Sequence, residues 1–292
     1  MISFNSVAEL LALAEENGKP LADIVWQWES ERSERPPAEV WEDMRQRLLV
    51  MREAVEAGLA SREKSFSGLV GGQSHRLAAC SELLGKPAGL AAAYALAVSE
   101  VNASMGKIVA CPTAGSCGIV PGAILATADQ RRLDENVLIR ALFTAAGVGE
   151  IIATNATVAG AVGGCQAECG SAAGMAAAAV VEMMGGRPRQ SVEALALAMK
   201  NMLGLACDPV AGLVEVPCVK RNAFAAVHAL VAAQMALAGI ASVIPADEVI
   251  DAMYRIGQAM PCALKETAEG GLAKSPTGLQ ITARLQAANL NE

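Results

Sequence analysis

Residues 170–184, GSAAGMAAAAVVEMM, form an almost unbroken run of small and apolar side chains with one acid near its end. A run of this length without proline and without alternation is typical of a helix rather than a strand. A helix that is apolar all round belongs in the interior of a fold. Aromatic residues make up only 3% of the chain against 53% for the hydrophobic set, so the core must be filled by small side chains on closely approaching helices.

The charged first part of the chain differs from the rest. After Pro36-Pro37, apolar residues recur at helical spacing with acidic and basic residues between them, which predicts a helix with one packed face. We therefore predict an N-terminal helical segment, residues 1–60, and a larger helical domain, residues 61–292. The segment contains all three tryptophans of the chain, so it is a possible subunit contact: Trp26, Trp28 and Trp41.

The larger domain alternates apolar helical stretches with loops of glycine and serine. The predicted helices cover residues 88–105, 137–153, 170–184, 191–203, 223–239 and 247–260. No segment of convincing length alternates with the period of a strand. The sequence therefore predicts an all-α fold whose Ala/Gly-rich helices are too apolar to lie on the surface.

Charge and the first residues set several function classes aside. Asp and Glu number 30 against 23 Lys and Arg, and no basic cluster with interleaved aromatics occurs, so we expect no nucleic-acid partner. The first 20 residues contain three glutamates and lack a basic start followed by an unbroken apolar run, which argues against a signal peptide. We expect a cytoplasmic protein with reduced cysteines.

One apolar stretch, residues 223–246, is long enough to cross a bilayer. It is rich in alanine, which is only weakly hydrophobic, and His228 and Gln234 interrupt it. We interpret it as a helix buried on all sides of the fold, and we expect no membrane partner.

Four loops rich in small residues join the predicted helices, and they could converge on one site. They are residues 67–72, 112–118, 160–164 and 207–217. Glycine permits close approach of the backbone to a ligand, and helix N-termini attract anions. Neither a GxxxxGK[ST] motif nor a strand-embedded GxGxxG motif is present, which disfavours a nucleotide-binding fold.

Three of the eight cysteines lie in loops at helix ends beside glycine or proline: Cys165, Cys207 and Cys218. Such loops can surround an iron–sulfur cluster, and helix N-termini stabilise thiolates. Three ligands would leave one iron open as a Lewis acid. From spacing alone this is one possibility among several.

The other cysteines keep alternatives open. No C-x-x-C pair occurs, so zinc ribbons, thioredoxin-type motifs and bacterial-ferredoxin runs are absent from the sequence. With only two histidines, a mixed Cys/His zinc site is disfavoured. Cys111, Cys117 and Cys169 border small-residue loops and remain candidate ligands, whereas Cys80 and Cys262 have no supporting context.

Five segments together resemble the alpha subunit of iron–sulfur-dependent L-serine dehydratase of the two-subunit type. They are SGLVGG (67–72), CPTAGSCGIVPG (111–122), GGCQAECGSA (163–172), NMLGLACDPVAGLVEVPCVKRNA (201–223) and TAEGGLAKSPTG (267–278). The resemblance spans essentially the whole chain, and the segment around Cys207 is highly specific.

The resemblance implies a lyase that converts L-serine to pyruvate and ammonia without pyridoxal phosphate. It implies a 4Fe-4S cluster as cofactor on Cys165, Cys207 and Cys218, with the open iron assisting departure of the substrate hydroxyl. The implied substrate-binding residues are Ser67, Thr113, Gly115, Ser116 and Asn155. From the residues alone, each of these polar side chains also suits a turn or a helix cap.

The chain departs from the family pattern in two ways. Single-chain relatives end in a cysteine that can occupy the fourth iron, whereas this sequence ends QAANLNE. The family's regulatory and partner domain is also missing, which implies a separate beta subunit that could supply a histidine as the catalytic base, and an oligomer. The internal alternative for the base is His75, although a solvated loop histidine is the simpler interpretation; His228 is expected in the core.

Other functions stay open beside the leading one. A related cluster enzyme could remove sulfide from cysteine or accept threonine, because such substrates differ little from serine in size. A non-enzymatic redox sensor could use the same cluster, but it would need no carboxylate-binding loop of the kind predicted at residues 113–118. A pyridoxal phosphate enzyme is disfavoured because no strand-based cofactor fold is visible.

Overall fold

The computed structural model describes residues 2–80 and 83–289, and within these ranges the chain is helical with no β-strand. A single isolated bridge joins Cys207 and Lys265. The α-helices are α1 (Val7–Asn17), α2 (Leu21–Ser33), α3 (Pro37–Ala60), α4 (Gln73–Ala78), α5 (Gly85–Ala103), α6 (Ile119–Arg131), α7 (Glu135–Asn155), α8 (Gly160–Gly163), α9 (Ser171–Met183), α10 (Pro188–Met202), α11 (Cys218–Leu237), α12 (Ala246–Ala259) and α13 (Pro276–Asn289). The predicted all-α fold is confirmed.

Helix α9 occupies the centre of the fold. It is preceded by one turn of π-helix, Gln166–Gly170, and all its residues except Glu182 are buried. It packs against α6, α7, α10 and α11. The interior position predicted for residues 170–184 is therefore correct, and the physical reason is the lack of any polar face.

Backbone contact limits how closely the helices approach one another. A Cβ built on Gly58 of α3 would lie 2.3 Å from the carbonyl oxygen of Ala97 in α5. A Cβ on Gly122 of α6 would lie 2.8 Å from the carbonyl oxygen of Ala91, also in α5. The low aromatic content thus corresponds to helices that meet backbone to backbone, as the composition predicts.

Four helices of the larger domain were not predicted from the sequence: the short helices α4 and α8, and the longer helices α6 and α13. Helix α6 follows the loop at residues 112–118 directly, although it contains Pro121 and Gly122. Pro121 is its third residue, where the backbone N–H has no partner within the helix, so proline does not disturb it. Helix α13 also begins with proline, and Ser275 caps it by accepting from the Gly278 N–H at 3.1 Å.

The interpretation of residues 223–246 as one helix buried on all sides is wrong. Helix α11 ends at Leu237, and Gly239 turns the chain with a φ of 83°. Phe224 and Val231 on α11 are 78% and 52% exposed. Alanine allows one face of this helix to pack closely while the opposite face remains open.

Helix α7 is the one helix among the described residues that is long and apolar enough to cross a membrane. Of its most apolar window, 67% is buried within the fold. It packs against α2, α3 and α9, as a core helix of a soluble protein does.

The tryptophans of the N-terminal segment pack against their own chain. The rings of Trp26 and Trp41 lie 4.9 Å apart, and both are within 6.3 Å of the Phe143 ring on α7. The Trp28 ring lies 4.9 Å from that of Phe4. The contacts with Phe143 join the segment to the larger domain, and the possible subunit contact of the segment stays a prediction. The division at residue 61 stays a prediction.

Glu182, the acid near the end of α9, places a carboxyl group in the core. It accepts hydrogen bonds from the Thr144 hydroxyl at 2.9 Å and from the Ala22 N–H at 3.3 Å. Burial raises its pKa from 4.5 to about 7, although these donors oppose the shift. The folded protein therefore holds a proton on Glu182 at a pH where the unfolded chain has released it.

The first prediction follows from this shift. The contribution of Glu182 to stability is fully present below pH 4.5 and is lost as the pH rises toward 7, because the unfolded state loses the Glu182 proton first. Glu182→Gln removes that dependence, so between pH 5 and pH 8 the variant should gain roughly 2 to 3 kcal/mol relative to wild type. Urea denaturation at both pH values measures this difference. Parallel pH profiles for the two proteins would contradict the prediction.

Candidate active site

Three buried cysteines are brought to one region from separate parts of the chain. Cys165 lies between α8 and the π-helix, and Cys218 is the first residue of α11. Cys207 is held on both sides of its backbone: its N–H donates to the Leu264 carbonyl, and its carbonyl accepts from the Glu266 N–H, each at 2.8 Å. The exposed fraction of each cysteine is 7% or less.

The three thiols influence one another electrostatically. Burial raises the pKa of Cys218 to about 12, and the charge of an ionised Cys165 adds to the shift. The pKa of Cys207 is also raised, first by burial and then by Cys165. The pKa of Cys165 is instead lowered, by the Cys169 thiol 3.3 Å from its sulfur and then by the Arg221 guanidinium.

Arg221 supplies positive charge to this group of thiols. It lies one turn into α11 from Cys218 and donates to the Ala206 carbonyl at 2.8 Å and to the Asp208 carboxylate at 2.9 Å. Its side chain is 18% exposed, so water screens the pairing weakly. Both acceptors flank Cys207, so Arg221 fixes the loop that presents this cysteine.

These residues fit a cluster better than a single ion. In the described part of the chain, no group of three or more His, Cys, Asp or Glu side chains is positioned to hold one metal ion. A single tetrahedral ion requires sulfur atoms roughly 4 Å apart. A polynuclear cluster binds each thiolate on a different iron and accepts wider spacing, and cysteine thiolate is its usual ligand. Three buried thiols on separate segments, with a guanidinium beside them, match that requirement.

The remaining cysteines divide into two groups. Cys169 lies beside Cys165 and is buried. Cys111 and Cys117 are buried together, with the Cys111 sulfur 3.5 Å from the Cys117 carbonyl oxygen. Cys80 and Cys262 are exposed.

Asn222 holds the loop at residues 112–118 over the start of α11. Its amide nitrogen donates to the carbonyls of Gly115 at 2.7 Å and Cys218 at 3.0 Å, and its amide oxygen accepts from the Gly118 N–H at 2.9 Å. The side chain is 1% exposed. One buried amide thus sets the position of the loop relative to Cys218.

The hydroxyl groups predicted to bind substrate form a network with a glutamate. Thr113 donates to the Oε1 atom of Glu168, and its hydroxyl lies 3.0 Å from that of the fully buried Ser116. Burial raises the pKa of the Glu168 carboxyl, the charge of Glu266 adds to the shift, and Thr113 opposes it. Glu168 lies on the π-helix, an element that is frequent at functional sites.

Gly115 and Gly160 give this carboxylate room on two sides. A Cβ on Gly115 would lie 2.5 Å from Glu168 Oε1. A Cβ on Gly160 would lie 3.1 Å from Cys207 Sγ, 3.2 Å from Glu266 Oε2 and 3.3 Å from Glu168 Oε2. One thiol and two carboxylates therefore surround a single small space above Gly160.

Ser67 and Asn155 hold other contacts. Ser67 and Ser65 both donate to Glu215 Oε2, at 2.5 Å and 2.6 Å, which ties the loop at residues 67–72 to the loop that carries Cys207. The Asn155 amide donates to the Asn5 carbonyl at 2.6 Å. The loops at residues 67–72 and 207–217 are thus joined by hydrogen bonds, while the Asn155 side chain is directed to the N-terminal segment.

Neither histidine is hydrogen-bonded to this group of residues. His75 is exposed on α4, a helix that packs against α3 and α5. His228 lies 2.8 Å from the Ala198 carbonyl through Nε2 and 3.4 Å from the Asn201 amide through Nδ1. His228 is thus hydrogen-bonded to neighbouring helices but only half-buried, rather than enclosed in the core as expected.

Comparison with known proteins now identifies the family. The family profile described as "Serine dehydratase alpha chain" matches residues 16–273. The chain belongs to this family. The resemblance found in the sequence motifs is confirmed over almost its full length.

Relatives in the serine dehydratase alpha chain family differ in length. The "Probable L-serine dehydratase, alpha chain" of Bacillus subtilis is 51% identical over 286 residues, covering 97% of this chain and 95% of the relative. The "L-serine dehydratase, alpha chain" of Peptoniphilus asaccharolyticus is 41% identical over 281 residues, covering 95% and 96%. The "L-serine dehydratase 2" of Escherichia coli is 38% identical over 291 residues, covering 92% of this chain but only 61% of the relative.

Sequence reasoning missed four residues of this site: Glu168, Arg221, Asn222 and Glu266. Three of them lie within four positions of a candidate cysteine, so a search of the flanking positions could have found Glu168, Arg221 and Asn222. Glu266 reaches the site through the backbone pairing of residues 264–266 with Cys207. This pairing joins distant parts of the chain, so no local sequence pattern predicts it.

A second prediction concerns the hydrogen bonds by which Asn222 holds the loop at residues 112–118. Asn222→Ala removes three hydrogen bonds and leaves the buried Gly118 N–H without its acceptor, so we expect a loss of about 2 to 4 kcal/mol in the free energy of unfolding. Asn201→Ala is the matched control, because the exposed Asn201 amide has only a 3.4 Å contact with His228. Denaturant titration of both variants tests this, and equal losses would contradict it.

Proposed function

We propose that this chain is the alpha subunit of an L-serine dehydratase, a lyase that converts L-serine to pyruvate and ammonia in the cytoplasm. The observation that carries the proposal is the meeting of three buried cysteines with the Thr113–Glu168 network at the space above Gly160. The names of the relatives support the same reaction, since they are called L-serine dehydratases.

The donor set suits a 4Fe-4S cluster held by Cys165, Cys207 and Cys218. When bound, such a cluster supplies an open iron that acts as a Lewis acid on a hydroxyl group. The protein would stabilise the thiolates with the Arg221 charge and would exclude water by burying all three cysteines. Cys169 is excluded from our ligand set because its close partner is the Cys165 sulfur.

The overall reaction removes the α-proton and the β-hydroxyl of serine as water, leaving an enamine. The enamine tautomerises to an imine, which water hydrolyses to pyruvate and ammonia. In this chain Thr113, Gly115 and Ser116 would line the substrate, with the loop fixed by Asn222. The Thr113 hydroxyl holds Glu168 in place, so the loop orients an acidic side chain as well as the substrate.

A third prediction tests the ligands. Single replacement of Cys165, Cys207 or Cys218 by serine should abolish both the cluster and pyruvate formation, because a hydroxyl is a poor iron ligand. The measurements are iron and sulfide content, the anaerobic absorbance spectrum and serine-dependent pyruvate formation. The exposed Cys80→Ser and Cys262→Ser variants are controls and should remain near wild type.

Two outcomes would overturn this proposal. A full cluster in Cys207→Ser would refute the ligand assignment. A colourless, iron-free wild-type protein that still converts serine would refute the cluster mechanism while leaving the reaction itself in place.

We also propose a separate beta subunit and an oligomeric enzyme. The aligned region makes up 61% of the Escherichia coli relative but 95% of the Bacillus subtilis alpha chain, which fits a further domain that two-subunit enzymes carry on another chain. Phe66 and Phe224 are 76% and 78% exposed, and each lies within two residues of a site-region side chain, Ser67 or Asn222. We place the partner on this face, where it could supply the catalytic base.

The fourth prediction compares the cluster-loaded chain alone with the chain plus its beta partner. The lone chain should form pyruvate at least tenfold more slowly, because proton abstraction needs a base within hydrogen-bond reach.

Phe66→Ser with Phe224→Ser should weaken the complex, measured by analytical ultracentrifugation. His75→Ala should leave turnover of the complex unchanged. Full activity of the lone chain, lost on His75→Ala, would show that the base is internal.

A further inference from the structure

Neither of the two carboxyl groups at the space above Gly160 forms an ion pair with any residue that the structure describes. Glu168 Oε2 and Glu266 Oε2 both lie within 3.3 Å of the position that a Cβ on Gly160 would take. Arg221 is the nearby cation, but it is engaged with the Asp208 carboxylate and the Cys165 thiol. Two carboxylates that face one point repel each other unless a cation lies between them.

The buried carboxylate is only half satisfied. Glu168 is 8% exposed, and its Oε1 atom accepts from Thr113. No donor among the described residues reaches its Oε2 atom, which faces the space above Gly160. This oxygen opens onto the space without a donor, so it can accept from a ligand that brings positive charge and N–H donors.

Glu266 faces the same space from the solvent side. Its residue is exposed, and its backbone has a φ of 63°, a left-handed conformation uncommon outside glycine. The Glu266 N–H donates to the Cys207 carbonyl, which fixes the residue beside Cys207. Its carboxylate forms no hydrogen bond or ion pair in the described part of the chain. The buried Glu168 thus lines the space above Gly160 on its inner side, and the exposed Glu266 lines it on the solvent side. We call this space between Glu168 and Glu266 the acidic niche.

We infer that Glu168 and Glu266 bind the α-ammonium group of the substrate. An ammonium is compact, carries three donors and a full positive charge, and matches two carboxylates at a shared point. Gly160 leaves the room that a side chain would fill. The inference rests on the proposed function and deepens it, because it assigns recognition of the amino group to residues that also border Cys207.

This assignment places the ammonium and the carboxylate of the amino acid in different parts of the site. The ammonium would lie between Glu168 and Glu266, while the carboxylate would need the backbone donors of the 112–118 loop on the other side of Gly115. Hydroxy acids that lack the ammonium would meet unpaired carboxylates, so the niche would select amino acids.

The test compares two ligands on the cluster-loaded complex under anaerobic conditions, through the KM for the ligand that is converted to pyruvate and through the calorimetric Kd for the ligand that is not. One is L-serine and the other is 3-hydroxypropanoate, which keeps the carboxylate and hydroxyl but lacks the ammonium. Glu168→Gln and Glu266→Gln should each weaken L-serine binding by about tenfold or more, because a charged partner of the ammonium is lost. Binding of 3-hydroxypropanoate should stay the same or tighten. Glu269→Gln, a nearby exposed glutamate, is the matched control and should change neither affinity.

Other outcomes separate the inference from the function on which it rests. Unchanged L-serine affinity in both variants, or equal losses for both ligands, would overturn the ammonium assignment while the reaction stands. Wild-type protein that holds no iron and binds neither ligand would refute the proposed function itself. Iron content is measured for every variant; if Glu168→Gln fails to load, the exposed Glu266→Gln decides alone, and unchanged discrimination between the two ligands would overturn the inference.

Discussion

Close contact between helix backbones is the constraint on which this structure depends. Gly58 and Gly122 let α3 and α6 approach α5 to the limit set by the carbonyl oxygens of Ala97 and Ala91. Helices at such distances leave room mainly for small and medium side chains, so alanine, valine, leucine, isoleucine and methionine make up most of the core. The short loops at the helix ends are then held rigidly, and small residues allow several of them to meet in one place.

The close packing of the helices determines the electrostatic properties of the site. A tightly packed, apolar interior offers little solvation, so burial raises the pKa of Cys207, Cys218 and Glu168. Arg221 compensates only part of the charge, because Asp208 already engages it. A cluster would remove the protons from the thiols, and a cationic substrate group would neutralise the carboxylates. The buried thiols and the two carboxylates therefore favour two different ligands.

Sequence reasoning succeeded where one local pattern determines the outcome. The run at residues 170–184 predicts a buried helix because no polar residue provides an outer face, and Pro36-Pro37 predicts the start of α3. It failed where the structure depends on how segments that are distant in the sequence pack together. Helix α6 was not predicted because it contains Pro121 and Gly122, although proline in the first turn does not disturb a helix. The exposed side of α11 could not be foreseen from its alanine content, because alanine fits both a packed and an open face.

The same distinction applies to the site. Motifs brought Thr113, Ser116 and the three cysteines into consideration, yet the carboxylates that complete the arrangement come from a π-helix turn and from a residue paired with Cys207 through its backbone. Glu266 adopts a left-handed conformation to make that pairing, and the surrounding hydrogen bonds of Cys207 maintain it. Because the same pairing positions Cys207 and Glu266, a change in the 262–271 segment would disturb the cluster ligand and the acidic niche together. Under the proposed function, cluster binding and substrate recognition would thus depend on the same backbone pairing, which joins segments that are distant in the sequence.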